Sequence, residues 1–164
     1  MSKNSEKGRK GELAVCAIFS NIGTHERNIE VIRDNKTCTP ERGVDLVVFC
    51  PHNTSNKLDE IAEKGDSEIG LSNTEISVRV QVKNFSGAIG KATMEEFVED
   101  SKKNPQFAEH WGVGGLRLTK GAKEVLENAN KNVPTKWYTA DSITKIQAQY
   151  PERPFVNLND ETPK

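Results

Sequence analysis

The sequence predicts an α/β fold in which a mixed central sheet carries helices on both faces. Three observations point there. Over residues 74–85, Ile76, Val78, Val80 and Val82 alternate with Ser77, Arg79, Gln81 and Lys83, the two-residue period of a strand. Residues 44–50 (VDLVVFC) form a nearly continuous apolar run, as in a strand covered on both sides. Further along, strand-like and helix-like segments alternate, the order that joins strands in parallel through right-handed crossovers.

Residues 1–10 are polar and locally basic, with Lys3, Lys7, Arg9 and Lys10 against Glu6, and are expected to fray as a flexible basic N-terminus. A first helix is predicted over 11–22. It is apolar nearly all round from Leu13 to Phe19 and therefore largely buried, and polar residues after Ile22 end it. Residues 28–33 read as a short strand and 39–43 as a turn punctuated by Pro40 and Gly43. Between the strands at 44–50 and 74–85 lies a polar insertion, 51–73, with a short helix over 58–63. It reads either as a functional loop or as a decoration.

After a loop at 86–92 holding Gly87 and Gly90, a helix starts at Thr93, with Glu96 completing a capping box and Met94, Phe97 and Val98 forming its apolar face. It ends before Pro105. Residues 111–119 read as a buried strand loosened by Gly112, Gly114 and Gly115. Ala122, Val125, Leu126 and Ala129 follow at helical spacing, and 136–140 is a last strand. Asp141 caps a final helix carrying Ile143 and Ile146, which Pro151 stops, and 151–164 is a polar tail. The first three strands pair as a meander, and the later ones join in parallel. One domain, 11–150, accounts for the pattern.

Composition narrows the function classes. The 164 residues suit a single domain, and 34% hydrophobic against 29% charged residues is a wet composition with room for loops. With a net charge of −1, any nucleic-acid site must be a local patch rather than a bulk field. Cys16, Cys38 and Cys50 show no CxxC spacing, and His25, His52 and His110 show no HxxxH spacing, so a structural zinc site is not indicated. No apolar run approaches the ~20 residues that cross a bilayer, and no signal-peptide core is present. A reduced, cytoplasmic protein without membrane partners is expected.

Three features can carry chemistry. Asp45 is a lone acid in an apolar strand, a costly placement unless the carboxylate is paired or metal-bound. It also reads as a strand-start acceptor of backbone hydrogen bonds, or as the partner of Arg42. Gln81 and Lys83 share one face of the best strand, although such a pair also reads as a solvated face. Glu12, in the first turn of the first helix, lines up with Val15, Cys16 and Phe19 and so faces inward. It also reads as an acid favoured by the helix dipole. Phosphodiester hydrolysis needs carboxylates to hold Mg²⁺ and a cation near the attacking water or the scissile phosphate. An acid followed by a strand bearing polar-x-Lys is the minimal set for that.

These residues carry a resemblance. Gly43, Val44 and Asp45 followed by Gln81, Val82 and Lys83 resemble the PD-(D/E)xK nuclease core, and most closely the Mrr-type restriction endonuclease catalytic domain. Gly11 and Glu12 in a first helix, a glycine-containing loop and helix like 90–100, and a glycine-bearing strand and helix like 111–130 extend the resemblance over roughly residues 8–142.

The resemblance implies a restriction-endonuclease-like three-layer fold and a metal-dependent endodeoxyribonuclease using Mg²⁺ or Mn²⁺. Asp45 would be the principal metal ligand and Glu12 would complete the shell. Gln81, at a position acidic in most of the superfamily, would ligate through its carbonyl oxygen. Lys83 would position the attacking water or stabilise charge on phosphate. DNA contacts are expected at Lys83, Asn84, Ser86 and Lys91, with Arg79, Lys7, Arg9 and Lys10, and at the backbone amides of Gly87 and Gly90. No winged-helix segment is read, so targeting would come from DNA structure or from a separate subunit. A branched-DNA resolvase, which would need a homodimer, and a non-catalytic DNA-binding protein are the alternatives.

Overall fold

The computed structural model describes residues 3–33 and 43–152. Along the chain run α1 (Lys3–His25), β1 (Glu30–Ile32), β2 (Leu46–Pro51), α2 (Thr54–Lys64), β3 (Glu75–Val82), β4 (Ala88–Ile89) and α3 (Lys91–Lys102). There follow β5 (Glu109–Val113), β6 (Arg117–Leu118), α4 (Lys120–Asn130), β7 (Thr135–Tyr138) and α5 (Ala140–Gln149). Five strands form one sheet in the order β1-β2-β3-β5-β7, and β4 and β6 form a separate two-stranded ribbon. The first three strands are antiparallel neighbours, as the meander predicts, and β3, β5 and β7 are parallel. The mixed sheet thus follows from the order of strands and helices in the sequence.

Alternation sorts the side chains to two faces. Val78 and Val80 of β3, Trp111 and Val113 of β5, and Tyr138 of β7 meet Val15, Phe19 and Ile22 of α1, Leu58 and Ile61 of α2, and Ile143 and Ile146 of α5. Trp111 anchors this core, with ring centroids 5.7 Å from Phe19 and 6.0 Å from Tyr138. On the opposite face Met94 and Phe97 of α3 pack with Ala122 of α4 and Trp137 of β7. Gly112 is required there, because the Trp137 indole occupies the space its Cβ would fill.

Several elements differ from expectation. The first helix begins at Lys3, ahead of Gly11, and is amphipathic rather than buried all round: Val15, Phe19 and Ile22 are buried while Leu13, Ala14 and Ala17 are exposed. The polar insertion contains a full helix, α2, whose Leu58 and Ile61 complete the core against α5, so this part of the insertion is structural cover. The helix expected from Thr93 starts at Lys91 behind Gly90, and no side-chain cap forms; Glu96 turns to a cleft instead of to the helix end. Asp141 lies inside the first turn of α5, with Thr139 at the cap. The turn at Pro40, Cys38, Arg42 as a partner for Asp45, and the tail from 153 onward lie outside the described residues. No helix among the described residues is long and apolar enough to cross a membrane.

Candidate active site

The antiparallel pairing of β2 and β3 aligns Leu46 with Val80. The residue before Leu46 therefore lies beside the end of β3. There the Asp45 N–H donates to the Val80 carbonyl at 3.0 Å, and Asp45 Oδ2 accepts the Val82 N–H at 2.7 Å. The strand's period then sends Gln81 and Lys83 to one side. Helix α1 passes close by at Gly11, where a Cβ would meet Val82 at 3.6 Å, and so delivers Glu12. Glu12, Asp45, Gln81 and Lys83 consequently line one cleft of about 460 Å³. The four residues that the sequence singles out converge there.

Its opposite wall, from α3, carries residues the sequence pattern did not mark: Glu96, Glu99, Asp100 and Lys103. Asp100 is buried, and its carboxylate occupies the space a Cβ on Gly43 would need; Gly43 has φ +71. A glycine just before Asp45 therefore serves both the left-handed turn and the close approach of α3. The helical spacing of Glu96, Glu99, Asp100 and Lys103 was the available signal, but nothing in it says which face meets the cleft.

Electrostatics mark two carboxylates. Burial raises the pKa of Asp45, against the lowering effects of the Val82 N–H and the charges of Lys83, Arg79 and Arg33. Burial also raises Glu12, helped by the nearby Asp45 charge, while Arg33 at 3.4 Å lowers it. Two partly desolvated carboxylates sharing a cleft suit a hard cation. Mg²⁺ binds through one or two carboxylates, keeps several waters and takes phosphate oxygens as further ligands, so it does not require a dedicated protein cage. No group of three or more His, Cys, Asp or Glu side chains positioned to hold a metal occurs among the described residues.

The polar face of β3 is not solvated. Arg79 is wholly buried, which removes it from the expected DNA contacts. Its Nε donates to His110 Nδ1 at 2.8 Å, Nη1 donates to the Gly43 carbonyl at 2.7 Å and to Gln81 Oε1 at 2.9 Å, and Nη2 donates to the Phe97 carbonyl at 3.0 Å. The guanidinium also lies 4.7 Å over the Phe97 ring. Burial and the Arg79 charge hold His110 down to about 4, leaving its Nδ1 a neutral acceptor.

Asn84, Ser86 and Lys91 are exposed on the segment leaving β3, and Arg9 and Lys10 are exposed on α1. The Lys7 side chain lies outside the described residues. The parallel β4–β6 ribbon brings a second basic segment alongside: Arg117 is opposite Ala88, and Lys91 packs over Gly121 at the start of α4. Among the described residues none of Lys83, Lys91, Arg117 and Lys120 forms a salt bridge with a carboxylate. The sequence marked Lys83 and Lys91 but not Arg117 and Lys120, which lie on a second segment brought alongside by the ribbon and by the packing of α3 on α4.

No protein-family model matches this sequence, and no curated protein matches it.

Proposed function

We propose that the protein is a divalent-metal-dependent endodeoxyribonuclease with a restriction-endonuclease-like site of the PD-(D/E)xK type. The observation that carries this reading is the meeting of Glu12, Asp45, Gln81 and Lys83 in one cleft. Asp45 and Glu12 are the groups that would hold Mg²⁺ or Mn²⁺, and the bound ion would polarise the scissile phosphate. Lys83, lining the same cleft as Asp45, supplies a cation where negative charge builds on phosphorus-bound oxygen as water attacks in line and the P–O ester bond breaks. The cations Lys91, Arg117 and Lys120, on and next to the β4–β6 ribbon, would contact the duplex backbone.

A second reading, a DNA-binding protein of the same architecture without turnover, is favoured by one feature: the Gln81 oxygen accepts from the buried Arg79 guanidinium, whose positive charge disfavours a cation there.

The deciding experiment incubates the chain with supercoiled plasmid, linear duplex and a four-way junction in Mg²⁺, in Mn²⁺ and in EDTA. The nuclease reading expects cleavage with metal and none in EDTA. Binding without cleavage under both metals selects the second reading, and cleavage confined to the junction identifies a branched-DNA nuclease.

A further inference from the structure

Gln81 stands where the nuclease reading expects a cation ligand, yet its oxygen faces a buried guanidinium. Arg79 Nη1 donates to Gln81 Oε1 at 2.9 Å. A guanidinium has donors only, so of the two ends of the amide only the oxygen can face it. The guanidinium is itself fixed, bonded to His110, Gly43 and Phe97 and wholly buried. The NH₂ is the end that remains, and among the described residues it donates to no protein acceptor although Gln81 lines the cleft. A cation at Oε1 would also sit beside the buried positive charge of Arg79, a repulsion that low dielectric strengthens.

We infer that Gln81 does not ligate the metal but presents an N–H donor to a non-bridging phosphate oxygen of DNA, with Arg79 as the positioning residue that sets this orientation. The inference rests on the nuclease reading of the cleft. It gives the neutral side chain a purpose: a carboxylate here would accept from Arg79 and turn its second oxygen, an acceptor, toward the phosphate.

The test uses the full chain and two binding readouts, Mn²⁺ affinity by electron paramagnetic resonance and affinity for a short duplex in Ca²⁺. Gln81→Met removes both ends of the amide at similar length. It is expected to leave Mn²⁺ affinity within about twofold and to weaken duplex binding about tenfold, as loss of a hydrogen bond to a charged group does. A tenfold or greater loss of Mn²⁺ affinity would make Gln81 a ligand and overturn the inference, and unchanged duplex affinity would remove the donor role.

Arg79→Gln removes both the charge and the fork, freeing the amide to turn, and should raise Mn²⁺ affinity; unchanged Mn²⁺ binding in a folded Arg79→Gln protein overturns the positioning role. If that variant does not fold, the Gln81→Met result decides. Asp45→Asn is the control that identifies the titrated site. A wild-type protein that binds neither Mn²⁺ nor duplex sinks the nuclease reading itself, which is distinguishable from a Gln81→Met protein that loses Mn²⁺ alone.

Discussion

Asp45 Oδ2 accepts the Val82 N–H at 2.7 Å, joining residues 37 apart in the chain. This bond holds the carboxylate in the wall of the cleft while burial disfavours its charge. A charged group kept where folding does not favour it is a common mark of a functional position.

Replacing Asp45 with Asn keeps an oxygen acceptor for Val82 and removes the charge. A carboxylate whose folded pKa lies above its unfolded value makes the folded state the better proton binder, so stability falls as pH rises through that window. Its cost is fully present above the raised folded pKa and vanishes below the ordinary carboxylate value. Asp45→Asn is therefore expected to melt higher than wild type near pH 7, by roughly 2–4 °C for each kcal/mol recovered, with the gap closing as pH falls. Cleavage should drop more than about 100-fold. Melts across pH, paired with plasmid assays, check both halves.

Lys83→Met should reduce cleavage by about 100-fold or more without weakening Mn²⁺ binding. The Lys83 charge lowers the pKa of Asp45 and by the same electrostatics opposes a cation there. Mn²⁺ affinity should therefore hold or rise. A fall in Mn²⁺ affinity equal to the fall in rate would count against a role for Lys83 at the phosphate.

Arg79→Met would leave the Gly43 and Phe97 carbonyls, Gln81 Oε1 and His110 Nδ1 without their donor. An unsatisfied buried polar group costs about 1–3 kcal/mol, so the variant should lose at least about 3 kcal/mol in urea denaturation. A loss below about 1 kcal/mol would mean that the network is not what holds these segments.

Gly43→Ala places a Cβ against the Asp100 carboxylate at a left-handed backbone position. The backbone alone costs about 1–2 kcal/mol, and the clash shifts the residue two places before Asp45. Stability and cleavage should fall together, whereas Gly87→Ala, at another left-handed glycine with nothing near its Cβ, should show only the backbone cost.

Charge reversal at Lys91 and Lys120 tests the proposed duplex contact at the starts of α3 and α4. Duplex affinity should weaken, and the slope of log affinity against log salt should flatten by about 0.9 for each phosphate that is no longer neutralised. An unchanged slope would remove these residues from the interface.

The sheet was readable because its signals are local: alternation in β3, an apolar run in β2, and intervening helical spacing. Asp45 stood out for the same reason, as a lone acid in an apolar stretch. What escaped the sequence depends on partners supplied from afar. The polar set of β3 reads as solvated, yet Arg79 is buried because Gly43, Phe97 and His110 come together around it, and no window along the chain contains all three. The α3 wall escaped similarly: Thr93 and Glu96 match a capping box, but the helix starts two residues earlier and frees Glu96 for the cleft.

Trp137 stands edge-on to Phe97 at 5.0 Å, and the Phe97 ring carries the Arg79 guanidinium. Its indole N–H is tied to the Gly114 carbonyl, so the chromophore is held still. A single ring thus separates a rigid fluorophore from the cation that orients Gln81. With Trp111 changed to Phe, emission from the remaining indole would follow, in real time and without a label, any disturbance that occupancy of the cleft sends through that stack.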